Sequence, residues 1–318
     1  MTIQQIYNLA IKMGIEADPR GKVRVLNLLV KEKANYKDLV KEDQKEFDQE
    51  RFTNPYSDTR ILNGNANTKV KRIMVGVDIS VADLLLADRL SQKKEKIDLV
   101  ISHHPLGKAL ARLDDVVSLQ AEFIAGLGVP INIAESLVDV RVEELGRKLS
   151  PGNTNRPIDA AKLLDLPLMS THTIADNLVY SYLNHEIDKK KPDTLKELIK
   201  LIKNIPEYAE ASKLGIGPKI FNGKINRHCG KIALTEITGG TSGSKQMYEK
   251  LSQAGVGTVV GMHMEEDFRE EAQKHHLNVV IAGHMSSDSL GVNLFLDELE
   301  KRGIEIVPCS GLTRVARN

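Results

Sequence analysis

Apolar residues recur at helical spacing from the start of the chain. Ile3, Ile6, Leu9 and Ile11 mark one face before Gly14, and residues 23–31 continue the pattern. Residues 32–51 are dense in Lys, Glu and Asp, which predicts a solvated helical face, so residues 1 to about 53 read as helices. Residues 54–69 carry Pro, Gly, Asn, Ser and Asp at loop density. From Arg72 the period changes, and short apolar runs alternate with amphipathic stretches. Strands are predicted over 73–77, 97–102, 129–133 and 168–171. Helices are predicted over 82–90, behind a Ser80–Asp83 capping box, and from Pro105, at a first helical position, to Gly126. A further helix carries Leu137, Val138, Val142 and Leu145, residues 150–156 read as a loop, and 159–164 as a short helix.

The run Lys189-Lys190-Lys191-Pro192 marks a boundary, followed by an amphipathic helix over 195–202 and a Gly- and Pro-punctuated connector over 214–225. A second series then predicts strands over 232–237, 256–260, 277–282 and 304–307, with helices running to Leu251 and over 265–275 and 289–301. The two series follow the same plan of strand, helix and strand, with histidine at a strand's carboxyl end. The chain therefore reads as α/β, with two similar βα lobes facing a central crevice and an extra helical segment at the N-terminus. The predicted division is 1–70 for that segment and its loop, 71–188 for the first lobe, 189–230 for a helical connector and 231–318 for the second lobe. Ligands of α/β sheets gather outside the carboxyl ends of the strands, which would bring His103, His104 and His284 toward one crevice.

Composition narrows the choice of partners. Forty-four basic and 43 acidic residues give a net charge of +1, and aromatics are 4% with no Trp. Neither a polyanion nor a base-stacking platform is called for, so a nucleic-acid role is disfavoured. Nowhere does an apolar run approach the length of a membrane span, and Met1-Thr2-Ile3-Gln4-Gln5 lacks the apolar core of a signal peptide. A cytoplasmic protein is expected. Two cysteines, Cys229 and Cys309, read as core thiols, so any bound metal must be held by histidine and carboxylate.

Three short motifs carry the chemistry. His103-His104-Pro105 follows the apolar run 97–102; the alternative to two imidazole ligands is one core histidine beside one surface histidine. His172 with Asp176, and His284 with Asp288, share a four-residue offset at strand-to-helix junctions. Either aspartate can equally serve a helix N-terminus, where an acidic side chain contributes about 0.3–1 kcal/mol, and Ser286 and Ser287 would then be N-caps. Three such motifs in one chain favour a shared site. The loop Gly239-Gly240-Thr241-Ser242-Gly243 reads as a tight turn rather than an anion cradle. His275 and His276 read as exposed, His263 follows the strand 256–260 without being assigned to the site, and His185 and His228 are assigned nothing.

In this order the motifs resemble those of the GTP cyclohydrolase I type 2-like proteins, also called the NGG-one-interacting-factor-three-like family. The matching elements are Ser102-His103-His104-Pro105-Leu106, His172-Thr173-x-x-Asp176 and Gly283-His284-x-x-x-Asp288. Val77-Asp78 and the Gly239-Gly240 loop also look like family positions. The likeness runs from about Asp58 to the C-terminus. It implies a dinuclear metal site between two similar α/β lobes, commonly in a ring-shaped hexamer, with His103, His104, Asp176, His284 and Asp288 as the ligands. The family usually has Glu where this chain has Asp288, one methylene shorter. Asp58-Thr59-Arg60 matches the family's N-terminal Asp-Asn-x-Gly-Leu element only loosely, and the helices before it have no counterpart.

Three imidazoles and two carboxylates suit Zn, Fe, Mn or Ni rather than Ca or Mg. Two such divalent ions would leave a local positive charge that attracts an anionic small molecule and would lower the pKa of bound water to about 7. The expectation is a metal-dependent hydrolase acting on a small phosphorylated, heterocyclic or nucleotide-like substrate, with His172 and Asp78 as supporting or proton-transfer residues. The alternative is a non-catalytic protein that holds metal or a small ligand for delivery or regulation.

Overall fold

The computed structural model describes residues 1–93, 95–240 and 243–317. The helical N-terminus forms as α1 (Ile3–Glu16), α2 (Lys22–Asp38) and α3 (Lys41–Glu46), closed by a short 3-10 turn, Gln49–Phe52. The first series is β1 (Thr59–Asn63), β2 (Arg72–Gly76), α4 (Val81–Gln92), β3 (Leu99–Ser102), α5 (Gly107–Ala111), α6 (Leu113–Val117), α7 (Leu119–Gly126), α8 (Ile131–Leu149), α9 (Arg156–Leu163), β4 (Leu168–Thr171) and α10 (Thr173–Lys190). After α11 (Leu195–Lys203) and α12 (Pro206–Lys213) comes the second: β5 (Lys219–Asn222), β6 (Lys231–Glu236), α13 (Met247–Gln253), β7 (Val256–Gly261), α14 (Glu266–Lys274), β8 (Asn278–Ile281), α15 (His284–Glu300) and β9 (Glu305–Cys309).

Strands β1 to β4 together with the last strand, β9, build one sheet, β5 to β8 build the other, and the two share a plan. The first has the order β1-β4-β3-β2-β9 and the second β5-β8-β7-β6. In both, three parallel strands are flanked by an antiparallel edge strand that precedes them in the chain, and in the first sheet β9 adds a fourth parallel strand beside β2. The edge strands even share a local sequence, Ile61-Leu62-Asn63-Gly64 and Ile220-Phe221-Asn222-Gly223, with a register shift at the same place. Asn63 Nδ2 donates to the Leu166 carbonyl at 2.7 Å and Asn222 Nδ2 to the Leu277 carbonyl at 2.6 Å, pinning both edges alike. The two-lobed α/β reading is borne out, including the repeat.

Both faces of the first sheet are covered, which explains its continuous apolar runs. Ile73, Val75, Leu99, Ile101 and Met169 point into a large core shared with the N-terminal helices, while Met74, Val100 and Leu168 point the other way under α4 and α9. Burying each such side chain is worth about 1.5–3 kcal/mol.

Several predicted elements differ. The strand expected over 129–133 is instead the start of α8: Pro130 takes the cap position, and burial falls on Ala134, Val138 and Leu145, on one side of a helix, while Ile131 stays exposed. The helix expected from Pro105 to Gly126 begins at Gly107 and is split into α5, α6 and α7. Gly107 holds a φ of +53°, and a side chain there would strike Ile158, so the chain turns before it can coil. Strands β1 and β5 lie in segments read as loop and connector, because an edge strand of four or five residues leaves little apolar pattern. The final strand, expected to complete the second series, runs beside β2 in the first sheet, with Ile306 opposite Ile73. The Gly239–Gly243 turn lies partly outside the described residues, since Thr241 and Ser242 are not among them.

The lobes are joined through α10 and α15, the helices that follow β4 and β8. They cross at Gly291, where a Cβ would lie 2.3 Å from the Ala175 carbonyl oxygen. The Gly291→Ala variant should therefore lose about 1–3 kcal/mol of stability through overpacking, read as an earlier denaturation midpoint. An unchanged midpoint would mean that the crossing is not close-packed.

Candidate metal centre

The functional side chains come from the carboxyl ends of strands in both sheets. Beyond β3 the backbone keeps its ladder for two more residues, His103 N–H donating to Gly76 O and His104 N–H to Val77 O, each at 2.9 Å. The chain then turns, with the Ser102 hydroxyl donating to the His104 carbonyl at 2.8 Å. Both rings reach one site because the strand ends there. His172 links β4 to α10, and Asp176 follows one turn in. On the other lobe Gly283, with a φ of +116°, turns β8 sharply into α15 and makes His284 its first helical residue. That helix starts well before the expected residue 289. Ser286 and Ser287 lie inside its first turn and donate back to the Gly283 carbonyl at 3.2 and 2.6 Å instead of capping it.

Three imidazoles are turned the same way by their Nδ1 contacts. His103 Nδ1–H donates to the Thr171 carbonyl at 3.1 Å, His104 Nδ1–H to Asp78 Oδ1 at 2.7 Å, and His172 Nδ1–H to Asp58 Oδ2 at 2.8 Å. With Nδ1 engaged, each ring offers its Nε2 lone pair to the centre, the usual arrangement around a metal-ligating histidine. Asp58 has a second duty. It also accepts from the Thr173 amide at 3.2 Å and the Thr173 hydroxyl at 2.6 Å, so it caps α10 where His172 offers no cap.

At the centre, Nε2 of His103 lies 3.5 Å from both Asp176 Oδ1 and Asp288 Oδ1. Nε2 of His104 and Nε2 of His284 each lie 3.5 Å from Asp288 Oδ2, and Nε2 of His172 lies 3.8 Å from Asp176 Oδ2. These separations are too long for hydrogen bonds. They match the edge of a tetrahedron, ~3.4 Å for donors ~2.1 Å from a central ion. His103 Nε2, Asp176 Oδ1 and both Asp288 oxygens are buried and make no hydrogen bond. Three groups of donors have their atoms within 4.8 Å of one another: His103, His104 and His172; His104, His284 and Asp288; and His103, Asp176 and Asp288. The residues present fit a divalent transition metal.

Electrostatics point the same way. Burial, reinforced by Asp288 and Asp58, holds the Asp176 carboxyl well above the usual carboxylate range. Burial also penalises ionised Asp288, but the surrounding imidazoles of His103, His104 and His284 outweigh it and hold its pKa below that range. Burial would push His104 down, yet Asp288 and Asp78 carry it up to about 9. His284 goes the other way, pushed down to about 4 by burial and by neighbouring imidazoles against the pull of Asp288. His172 is lowered by burial despite Asp58.

The structure brings together all five residues that the family likeness suggested: His103, His104, Asp176, His284 and Asp288. His172 stands among the donors rather than behind them, and the exposed Asp78 stands behind His104. The shorter Asp288 still directs one oxygen at His103 and the other at His104 and His284. His263, left unassigned in the sequence, lies at the site with its ring 4.9 Å from that of His284. The repeat contained its signal: Met262 N–H donates to Glu236 O at 3.0 Å just as His103 N–H donates to Gly76 O, making His263 the second lobe's counterpart of His104. His185, His228 and His276 are exposed, and the half-buried His275 pairs with Glu271 at 3.0 Å.

A metal must displace the proton that His104 carries below a pKa of about 9. Zinc affinity, measured by chelator competition, should therefore rise about tenfold or more per pH unit from neutrality to that value and flatten above it. A flat profile across the same range would show that His104 gives up no proton on binding.

No family model and no curated protein matches the sequence. Among solved structures, the chain is similar to a NIF3 superfamily protein from Sphaerobacter thermophilus, with 26% identity, a TM-score of 0.70, and coverage of 80% of this chain and 92% of the other. It is also similar to HcgD from Methanocaldococcus jannaschii, with 17% identity, a TM-score of 0.48, and coverage of 84% and 94%. A Bacillus cereus protein related to NIF3 matches with 12% identity, a TM-score of 0.42, and coverage of 79% and 90%. With two lobes of repeated topology and a histidine–aspartate cluster where they meet, the chain has the fold of the NIF3-like proteins.

Proposed function

We propose that the cluster holds two divalent transition-metal ions, of the Zn, Fe, Mn or Ni class, and that the protein is a metal-dependent hydrolase. Its substrate would be small and either phosphorylated or heterocyclic, cyclohydrolase-like by family resemblance. The observation that carries this reading is the set of buried, unbonded atoms (His103 Nε2, Asp176 Oδ1 and both Asp288 oxygens) facing one another between the lobes. Such groups are costly to bury unless a cation joins them. Asp288 supports a pair of ions, since its two oxygens face different imidazoles.

Ions held there would polarise a substrate oxygen and lower the pKa of water. The chain's own residues do the rest. His103, His104, His172, Asp176, His284 and Asp288 supply donors, Asp58 orients His172, and Asp78 orients His104. His263 stands at the rim, where it meets whatever enters. A homo-oligomer, hexameric by resemblance, and a cytoplasmic location belong to the same proposal. Among the described residues no helix is long and apolar enough to cross a membrane.

Metal-loaded protein should turn over a member of a broad panel of phosphoesters, nucleotides and cyclic amides, and His104→Ala should abolish that turnover. Stoichiometric metal with no turnover would favour a non-catalytic metal-holding role, and failure to retain metal would overturn both readings. Asp78→Asn should weaken metal binding about 10–100-fold while leaving the fold intact, because Asp78 is exposed. Unchanged affinity would show that Asp78 does not set the His104 ring.

A further inference from the structure

The cleft beside the cluster is lined by several apolar side chains and, among the described residues, by no lysine or arginine. It encloses about 460 Å³, within the ~300–1,000 Å³ usual for small-molecule sites. His104, His172 and His284 open onto it from the cluster side. Apolar side chains of Ile79, Pro105, Leu106, Leu110 and Leu113 line it as well, with Ser80 and Ser102 among them. These apolar side chains are braced by the second lobe: Gly240 has a φ of +80°, and a Cβ there would lie 3.0 Å from Leu113.

Among the described residues lining this cleft, and the smaller hollow that continues it past Asp176, there is no Lys or Arg. Asp78, also in the lining, adds negative charge and is held by His104. Recognition of a polyphosphate ordinarily uses such cations or a fork of N–H donors. Apolar side chains sharing a cleft with a set of metal donors suit a ring that rests on them and presents oxygen at its edge.

Resting on the metal-hydrolase reading, we propose that the substrate is the heterocyclic alternative: a planar, uncharged ring system with an oxygen donor at one edge and no polyphosphate. Its face lies on Ile79, Leu106 and Leu110, and its donor oxygen points to the cluster.

The test uses the full chain loaded with zinc, and calorimetric titration with two hydroxamates that share one oxygen-donor head. Benzohydroxamate should bind about tenfold more tightly than acetohydroxamate, because its ring gains apolar burial. Leu110→Asn, at a half-buried position, should remove that gain while leaving acetohydroxamate binding within about twofold, which also certifies fold and metal content. Inorganic tripolyphosphate should bind no more tightly than inorganic phosphate. Equal binding of the two hydroxamates, indifference of the gain to Leu110→Asn, or clear preference for tripolyphosphate would overturn the ring assignment and leave the metal reading standing. If neither hydroxamate binds although zinc is retained, the hydrolase reading falls and the ring assignment falls with it.

Discussion

Two carboxylates, Asp176 and Asp288, are held side by side in the interior by a helix crossing that has no room for a side chain at Gly291. Like charges so placed repel one another, and burial removes the water that would screen them. Imidazoles of His103, His104, His172 and His284 surround the pair. Much of the centre follows from that constraint. Asp176 is driven toward its neutral form, Asp288 is stabilised as an anion, and His104 retains a proton beyond neutrality.

The repeat supplies the geometry at low cost in sequence. Each lobe ends its middle parallel strand in a histidine and follows its last one with a histidine and an aspartate four residues on. Facing two such lobes doubles the donor set without any single segment carrying more than two or three ligands. The lobes have also diverged. His103 has Met262 at the corresponding position, and His263 stands at the rim, so the cluster is richer on the first lobe's side. The apolar side chains of Leu106, Leu110 and Leu113 are likewise a first-lobe feature, which makes the site lopsided.

Orientation of the imidazoles is the quieter half of the design. A backbone carbonyl, a surface aspartate and a buried aspartate each engage one Nδ1–H, and in doing so fix which nitrogen faces inward. Asp58 shows how closely fold and site are joined, since the same carboxylate caps α10 and sets His172. Loss of that one group would loosen both the helix end and the ring.

Much of this was legible in the chain itself. The shift from helical to alternating period at Arg72 marked the change to α/β, and the histidine motifs at strand ends marked the site, because burial pattern and strand-to-helix junctions are local properties. The start of α8 was misread because Val129 and Ile131 have strand-like side chains, and only the fold, which buries Val129 and leaves Ile131 exposed, shows that a helix begins there. Strands β1 and β5 escaped notice because an edge strand is defined by its partner rather than by its own residues. His263 was passed over for the same reason: whether an imidazole faces a shared centre depends on how two lobes meet. The sequence by itself determined which side chains could bind a cation and which elements would carry them. Only the packing of α10 on α15 decided that Asp176 and Asp288 would lie within one cluster, since that distance is set by the absence of a side chain at Gly291, more than a hundred residues from Asp176.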